Sequence, residues 1–351
     1  MWTGLLVLLL TTWVRTTSGQ EDAKAMVKIV VHDRIRGFLN WLQPWFVEAA
    51  RNQCSTRCVL TEDKGQMRSA DIVVYHAPTH AMVSQKPNDH AIRLFISMEQ
   101  PKYAKFLQRT DYLEKNFDLI STYSMSSTYP GTRVPNLPIT YFPLNILSPE
   151  AVLQPSRPFQ EKNGYGTDVA VAMFVSNSKA AGASERAKYC EELIKFIPIH
   201  SYGKVLNNRQ EPDMPDDPRW PVIAQKRARK VKVLSHYKFY LAFENFQVPD
   251  YVSEKIYEGL FAGAVPVYRG ARDVGRFMPS NDSYIDANDM SPRELADLLK
   301  RLSSDEGEYN RYFAFKDRAL PKSFEDVALM SYTHPNILCR LCTYALEKKQ
   351  A

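Results

Sequence analysis

Between residues 237 and 270 the spacing of apolar side chains changes period twice. Residues 239–243 form an unbroken apolar run of β-favouring side chains that ends abruptly at Glu244 and Asn245. After a polar stretch, Asp250 is placed to cap a helix, and Val252, Ile256 and Leu260 recur at four-residue spacing along one face of it. Gly263 stops the helix, and residues 264–268 return as a second buried strand. Strand, helix and strand make a βαβ unit, which binds ligands at the carboxyl ends of its strands. Glu244, Asn245, Tyr251, Glu254 and Lys255 all fall in that crevice. A helix N-terminus with a lysine in its first turn suits a bound phosphate, because free N–H groups and the helix dipole both attract negative charge.

The same alternation runs through the rest of the chain. Short apolar strands are expected at 27–31, 59–60, 72–75, 94–96, 119–122 and 139–142, with an aromatic-rich amphipathic helix at 38–51. Such a pattern favours a parallel sheet flanked by helices. Prolines 143, 149, 155 and 158, with glycines 164 and 166, break the rhythm over 143–167. The pattern then restarts with a strand at 169–175, helices at 184–196 and 222–234, and a further helix at 291–302. The reading is therefore two α/β halves: a domain at 25–150, a linker at 151–167, a second domain at 168–335 and a tail at 336–351.

The segment 237–270 closely resembles the donor-binding motif of the α-1,3-fucosyltransferases, the GDP-fucose-dependent enzymes of glycosyltransferase family 10. Ala242–Asn245, Asp250–Lys255 and Ala262–Val267 match in order and spacing the family's AFEN, DY(I/V)TEK and AGAVPV blocks. Phe246 stands where Ser or Thr is usual, and Ser253 where Thr is usual. The resemblance implies a GT-B fold, two Rossmann-like domains facing across a cleft, with GDP-fucose bound by the C-terminal one and the acceptor by the N-terminal one. It extends more loosely over 94–142 and 169–203, and the SMEQPKY segment and terminal CRLC look most like the branch that fucosylates the N-glycan core in plants and invertebrates.

Composition bounds the rest. A chain of 351 residues with 44% apolar side chains can build two cores, and a net charge of +6 is compatible with an anionic nucleotide sugar. No Walker or RNP-type sequence is present and the basic residues are dispersed, which argues against nucleic acid. Residues 1–20 hold a short apolar stretch read as a signal peptide or short membrane anchor. Family members are usually anchored in the Golgi with a lumenal catalytic domain, so the expected site of action is the Golgi lumen. Five cysteines fit an oxidising compartment. A zinc site would need two pairs from opposite ends of the chain, so two local disulfides are expected, Cys54 with Cys58 and Cys339 with Cys342, and Cys190 is left as a buried thiol. Family members also carry a C-terminal Cys-x-x-C. Asn281-Asp282-Ser283 is a glycosylation sequon if this stretch is lumenal.

Displacement at an anomeric carbon with inversion needs a base for the acceptor hydroxyl and fixed positive charge on the departing diphosphate. No Asp-x-Asp occurs in the chain, so no cofactor is expected to be required, with a divalent metal at most an activator, and cations and helix N-termini must hold the diphosphate. Glu99 follows the strand at 94–96 and should face the cleft; the resemblance implies the base role for it, with Asp33 as the fallback. Arg186 sits in a helix first turn, where it opposes the macrodipole, and aligns with an Arg the family places after its (I/V)SN segment. Lys255 is placed as awkwardly, and both are read as diphosphate ligands. By analogy with the family, Asn245, Tyr251 and Glu254 become nucleoside and ribose contacts, and Tyr202 lies in a segment that resembles one facing the donor. Blander readings cover other features: the cations at 226–232 as a solvated helix face, the Trp41 and Trp45 cluster as core, and His76 with His80 as no metal pair because Pro78 separates them. The expected partners are GDP-fucose and a glycoprotein glycan; a lectin-like or inactive homologue is the alternative.

Overall fold

The computed structural model describes residues 26–32, 54, 57–76, 87–102, 104–143, 148–178, 182–216 and 222–350. The apolar segment at 1–20, the aromatic helix expected at 38–51, Asp33 and His80 lie outside these residues.

Each half is a five-stranded parallel sheet. In the N-terminal half, β1 (Met26–Val31), β2 (Arg57–Thr61), β3 (Ile72–His76), β4 (Ile92–Ser97) and β5 (Leu119–Thr122) lie in the order β2-β1-β3-β4-β5, with α1 (Thr110–Asn116) leading into β5. The C-terminal half contains β6 (Val171–Met173), α2 (Ala183–Leu193), β7 (Ile199–Ser201), α3 (Val222–Leu234), β8 (Phe239–Phe243), α4 (Glu254–Ala262), β9 (Val265–Arg269) and β10 (Ile285–Asp286). Its sheet order, β7-β6-β8-β9-β10, repeats that of the first half strand for strand. In this doubly wound order the connections reverse direction between the first and third strands, and a crevice opens at their carboxyl ends. All five residues of β3 and all five of β8 are buried, as a sheet covered on both faces requires.

Residues 139–142 do not form the strand expected of them. Prolines 138 and 143 bracket the segment and cannot donate to a ladder, so it makes only an isolated bridge, Thr140 to Ser331. Four helices follow β10: α5 (Pro292–Ser304), α6 (Glu306–Asn310), α7 (Lys322–Leu329) and α8 (Asn336–Gln350). Helix α5 starts on a capping box between Ser291 and Glu294.

The segment read as a tail is helix α8, and it crosses back to the first half. Ile337, Leu338, Leu341, Cys342 and Ala345 are buried in one core with Val27, Ile29, Ile72, Leu94 and Ile96. This crossing overturns the expected disulfides. Cys54 is bonded to Cys339 and Cys58 to Cys342, with Cα atoms 5.1 and 6.3 Å apart. Spacing alone favoured local pairs; the packing of α8 on the β1 and β2 edge brings the distant pairs together instead. Cys190 is a buried free thiol whose pKa burial pushes up to about 12.

Candidate active site

The crevice of the C-terminal half opens where β6 and β8 diverge. Strand β8 ends at Phe243, and Glu244 is buried directly beyond it. Its carboxylate accepts hydrogen bonds from the Ser253 backbone N–H (2.7 Å) and hydroxyl (2.8 Å). That arrangement fixes Ser253 as the residue before α4, so Asp250 is not the N-cap expected from the sequence. Asp250 takes a left-handed backbone (φ +64°), which turns its side chain away from the helix. Helix α4 ends as expected at Gly263, also left-handed (φ +64°), where a side chain would strike Ser156.

Lys255 extends over the same N-terminus. Its ammonium donates to the Ser253 hydroxyl at 2.7 Å and lies 3.3 Å from Glu244 and 3.4 Å from Glu254. Burial works against the charge, but the two carboxylates hold the lysine well above the ordinary ammonium range. Glu254 is opposed by the same burial, yet Lys255, Arg227 and Lys230 bring its carboxyl down to about 2. Both groups are therefore ionised at neutral pH.

Arg227 and Lys230 correct the reading of the basic run as a solvated face. Lys226 and Lys232 are exposed, but Arg227 and Lys230 turn inward from α3 and pair with Glu258, buried one helical turn along α4 from Glu254. The Lys230 ammonium also lies over the Phe174 and Tyr240 rings, 5.2 and 5.0 Å from their centroids. The period of the sequence marked these cations; their partner is some 30 residues away and nothing local to the run signals it.

Arg186 sits at the divergence itself. It is 4% exposed and donates to the carbonyls of Phe243 (3.0 Å), at the end of β8, and Asn177 (2.9 Å), in the loop after β6. Burial pulls its pKa down while Glu244 raises it. The side chain thus ties together the two loops that form the crevice. Gly182, just before α2, permits this approach: a side chain there would meet the Asn245 carbonyl at 2.1 Å. Half-buried Asn245 follows Glu244 on the same rim.

Two residues expected to meet the donor make aromatic contacts within the protein. Tyr202 follows β7, stacks on Phe174 with centroids 4.8 Å apart, and shares a 2.6 Å hydrogen bond between its hydroxyl and that of Tyr237, before β8. Tyr251 is 4% exposed, and its ring packs edge-on against Tyr123 (5.1 Å) and Tyr141 (5.9 Å), both from the N-terminal half. Its position is an inter-half contact. Asn281 is exposed before β10.

Glu99 comes from the other side of the cleft. It lies two residues past β4, and its backbone N–H donates to the Ser97 hydroxyl at 3.2 Å. Burial raises its carboxyl above the ordinary range, Lys255 lowers it and Glu254 raises it. Those two influences place Glu99 within electrostatic reach of the N-terminus of α4. A carboxyl raised by burial thus lies in the field of a lysine and a carboxylate at a helix N-terminus, groups of the kind that proton abstraction from a hydroxyl and departure of an anionic leaving group require.

Residues 166–351, which are 186 of the 351, match the family described as Glycosyltransferase family 10 (fucosyltransferase) C-term. The chain is 32% identical over 231 residues to alpha-(1,3)-fucosyltransferase B of Drosophila melanogaster, covering 64% of this chain and 48% of that protein. It is 35% identical over 199 residues to GDP-fucose protein O-fucosyltransferase 3 of Mus musculus, covering 56% of this chain and 40% of that protein. The chain spans about half the length, or less, of these curated relatives. A solved alpha1,3-fucosyltransferase aligns over 93% of this chain and 92% of its own, with a TM-score of 0.58 at 17% identity. Anabaena Alr3699/HepE with UDP and glucose aligns over 92% and 99%, with a TM-score of 0.51 at 9% identity. The shared architecture is GT-B.

Proposed function

We propose the following for this chain, which belongs to glycosyltransferase family 10, the fucosyltransferases: it moves L-fucose from GDP-fucose to a GlcNAc hydroxyl of a glycoprotein glycan, with inversion and in α-1,3 linkage. The acceptor oxygen attacks the anomeric carbon while Glu99 takes its proton. The bond from that carbon to the diphosphate breaks, and GDP departs with the electron pair. Lys255, drawn from its carboxylates, and the N–H groups of α4 stabilise the leaving charge. Arg186 holds the β6 and β8 loops around the diphosphate, and Glu244 and Glu254 are suited to accept from sugar hydroxyls.

The observation that carries this reading is that Glu99, two residues past β4 of one half, lies within electrostatic reach of Lys255 and Glu254 at the start of α4 in the other. Two disulfides favour an oxidising compartment, the lumen of the Golgi. The test is incubation with GDP-fucose and defined acceptors, read by mass spectrometry. Transfer to the innermost GlcNAc of an N-glycan supports the core branch; transfer to lactosamine moves the acceptor outward. The mouse relative's name adds a second acceptor class, a protein hydroxyl, so folded polypeptide acceptors belong in the panel. Binding of GDP-fucose with neither transfer nor hydrolysis would leave the lectin-like alternative.

A further inference from the structure

We propose that Asp250 is a positioning residue that locks the two halves together across the cleft and thereby sets the distance between Glu99 and Lys255. The inference deepens the transferase reading and rests on it. Asp250 is held by its own half on two sides. Its backbone N–H donates to Asp273 at 3.1 Å, and one carboxylate oxygen pairs with Arg276. The other oxygen reaches the opposite half, accepting the Met125 backbone N–H at 2.9 Å and facing the Ser124 hydroxyl at 3.5 Å, beyond the end of β5. The left-handed backbone is what aims the carboxylate there. Aspartate, like asparagine, is among the few non-glycine residues that enter this conformation, and the surrounding contacts hold it there.

The lock continues toward Glu99. Tyr251, the next residue, lies against Tyr123 and Tyr141. The Tyr141 hydroxyl donates to the carbonyl of Met98, the residue before Glu99. A continuous path of contacts therefore runs from the approach to α4, through Asp250 and Tyr251, to the backbone that carries the base. Asp250 acts through these neighbours and touches no reacting atom.

Two variants test the lock. Asp250→Gly removes the carboxylate but keeps the positive φ unstrained, whereas Asp250→Asn keeps the shape, tolerates that φ and retains one acceptor oxygen. The first readout needs no activity: exchange of the Met125 amide hydrogen should quicken about tenfold or more in the glycine variant and much less in the asparagine variant. The second is kinetic: kcat for transfer should fall about tenfold or more with glycine, partly recover with asparagine, and leave GDP affinity within about twofold of the parent. Unchanged Met125 exchange in a folded variant overturns the lock, as does loss of GDP affinity in step with kcat, which would place Asp250 among the donor ligands. If the parent transfers no fucose to any acceptor, the transferase reading fails and amide exchange alone decides whether the lock exists. If the glycine variant does not fold, the asparagine variant must still show faster Met125 exchange and a lowered kcat, and parent-like values for both overturn the proposal.

Discussion

In its proposed role as base Glu99 must be ionised to accept a proton, and burial makes ionisation harder than for an ordinary carboxyl, with Lys255 opposing and Glu254 reinforcing that effect. Transfer should therefore climb with pH through a limb displaced above the usual carboxylate range and level off once Glu99 is charged; a pH–kcat profile reads it. Glu99→Gln should lower kcat on the order of 100-fold, abolish that limb and leave GDP affinity nearly intact. Lys255→Ala should instead act on the donor, raising its KM by about 30-fold, equivalent to roughly 2 kcal/mol for a lost charge-assisted hydrogen bond. An unchanged donor KM would remove Lys255 from the site. The places of Glu99, Glu254 and Lys255 at the ends of their elements are legible because the period of each element is plain in the local sequence. Asp250 reads as a helix cap in the sequence but is not one, and neither its reach to the other half nor that of Tyr251 is visible there. Their partners Met125, Tyr123 and Tyr141 are more than 100 residues distant and leave no trace in the motif.

At the scale of elements, α4 is governed from both ends. Its N-terminus holds Lys255, and its C-terminus is capped by Lys162, a buried linker residue whose ammonium donates to the Gly263 carbonyl and the Tyr309 hydroxyl. Burial, then the neighbouring cations Lys316, Lys238 and Arg157, lower the Lys162 pKa to about 7. In the unfolded chain a lysine stays protonated up to about pH 10.4. Between these values the unfolded state binds the extra proton, so stability should rise with pH from about 7 toward 10. Lys316, lowered to about 8 by burial, steepens the upper part of that slope. Denaturant midpoints for the parent and Lys162→Met should converge as pH rises, or the parent exceed the variant; a parent curve flat across this window would contradict the assignment. Along the same helix, Glu258→Ala should cost about 3–5 kcal/mol, because it strands Arg227 and Lys230 without their shared carboxylate. The strand, helix and strand around α4 were readable from spacing alone. Inward-facing cations on α3 were not, since a charge run looks the same whether or not a buried carboxylate awaits it.

For the whole molecule, alternation of short apolar strands and helices was enough to indicate two α/β halves, yet it could not show that α8 belongs to the first. That assignment depends on Ile337, Leu338 and Leu341 packing on strands made some 300 residues earlier. Covalent bonds reinforce it. Closing a loop with a separation of 285 residues is worth roughly 5.6 kcal/mol in the chain-entropy treatment. Once either bond has formed, the second closes only the few residues between neighbouring cysteines and adds much less. Removing Cys54 with Cys339, or Cys58 with Cys342, should therefore lower the melting temperature modestly, and removing all four should lower it by far more than the sum of the two pairs. Additive losses would refute this nesting. The same crossing imposes an order on biosynthesis. Cys54 and Cys58 emerge from the ribosome long before Cys339 and Cys342, and in the interval each is the other's nearest thiol. A premature bond between them must be undone by thiolate exchange before the final pairs can form. The half that is translated first thus cannot complete its core until the last helix has been made, and a chain halted before residue 336 leaves the apolar side chains that α8 covers without that cover.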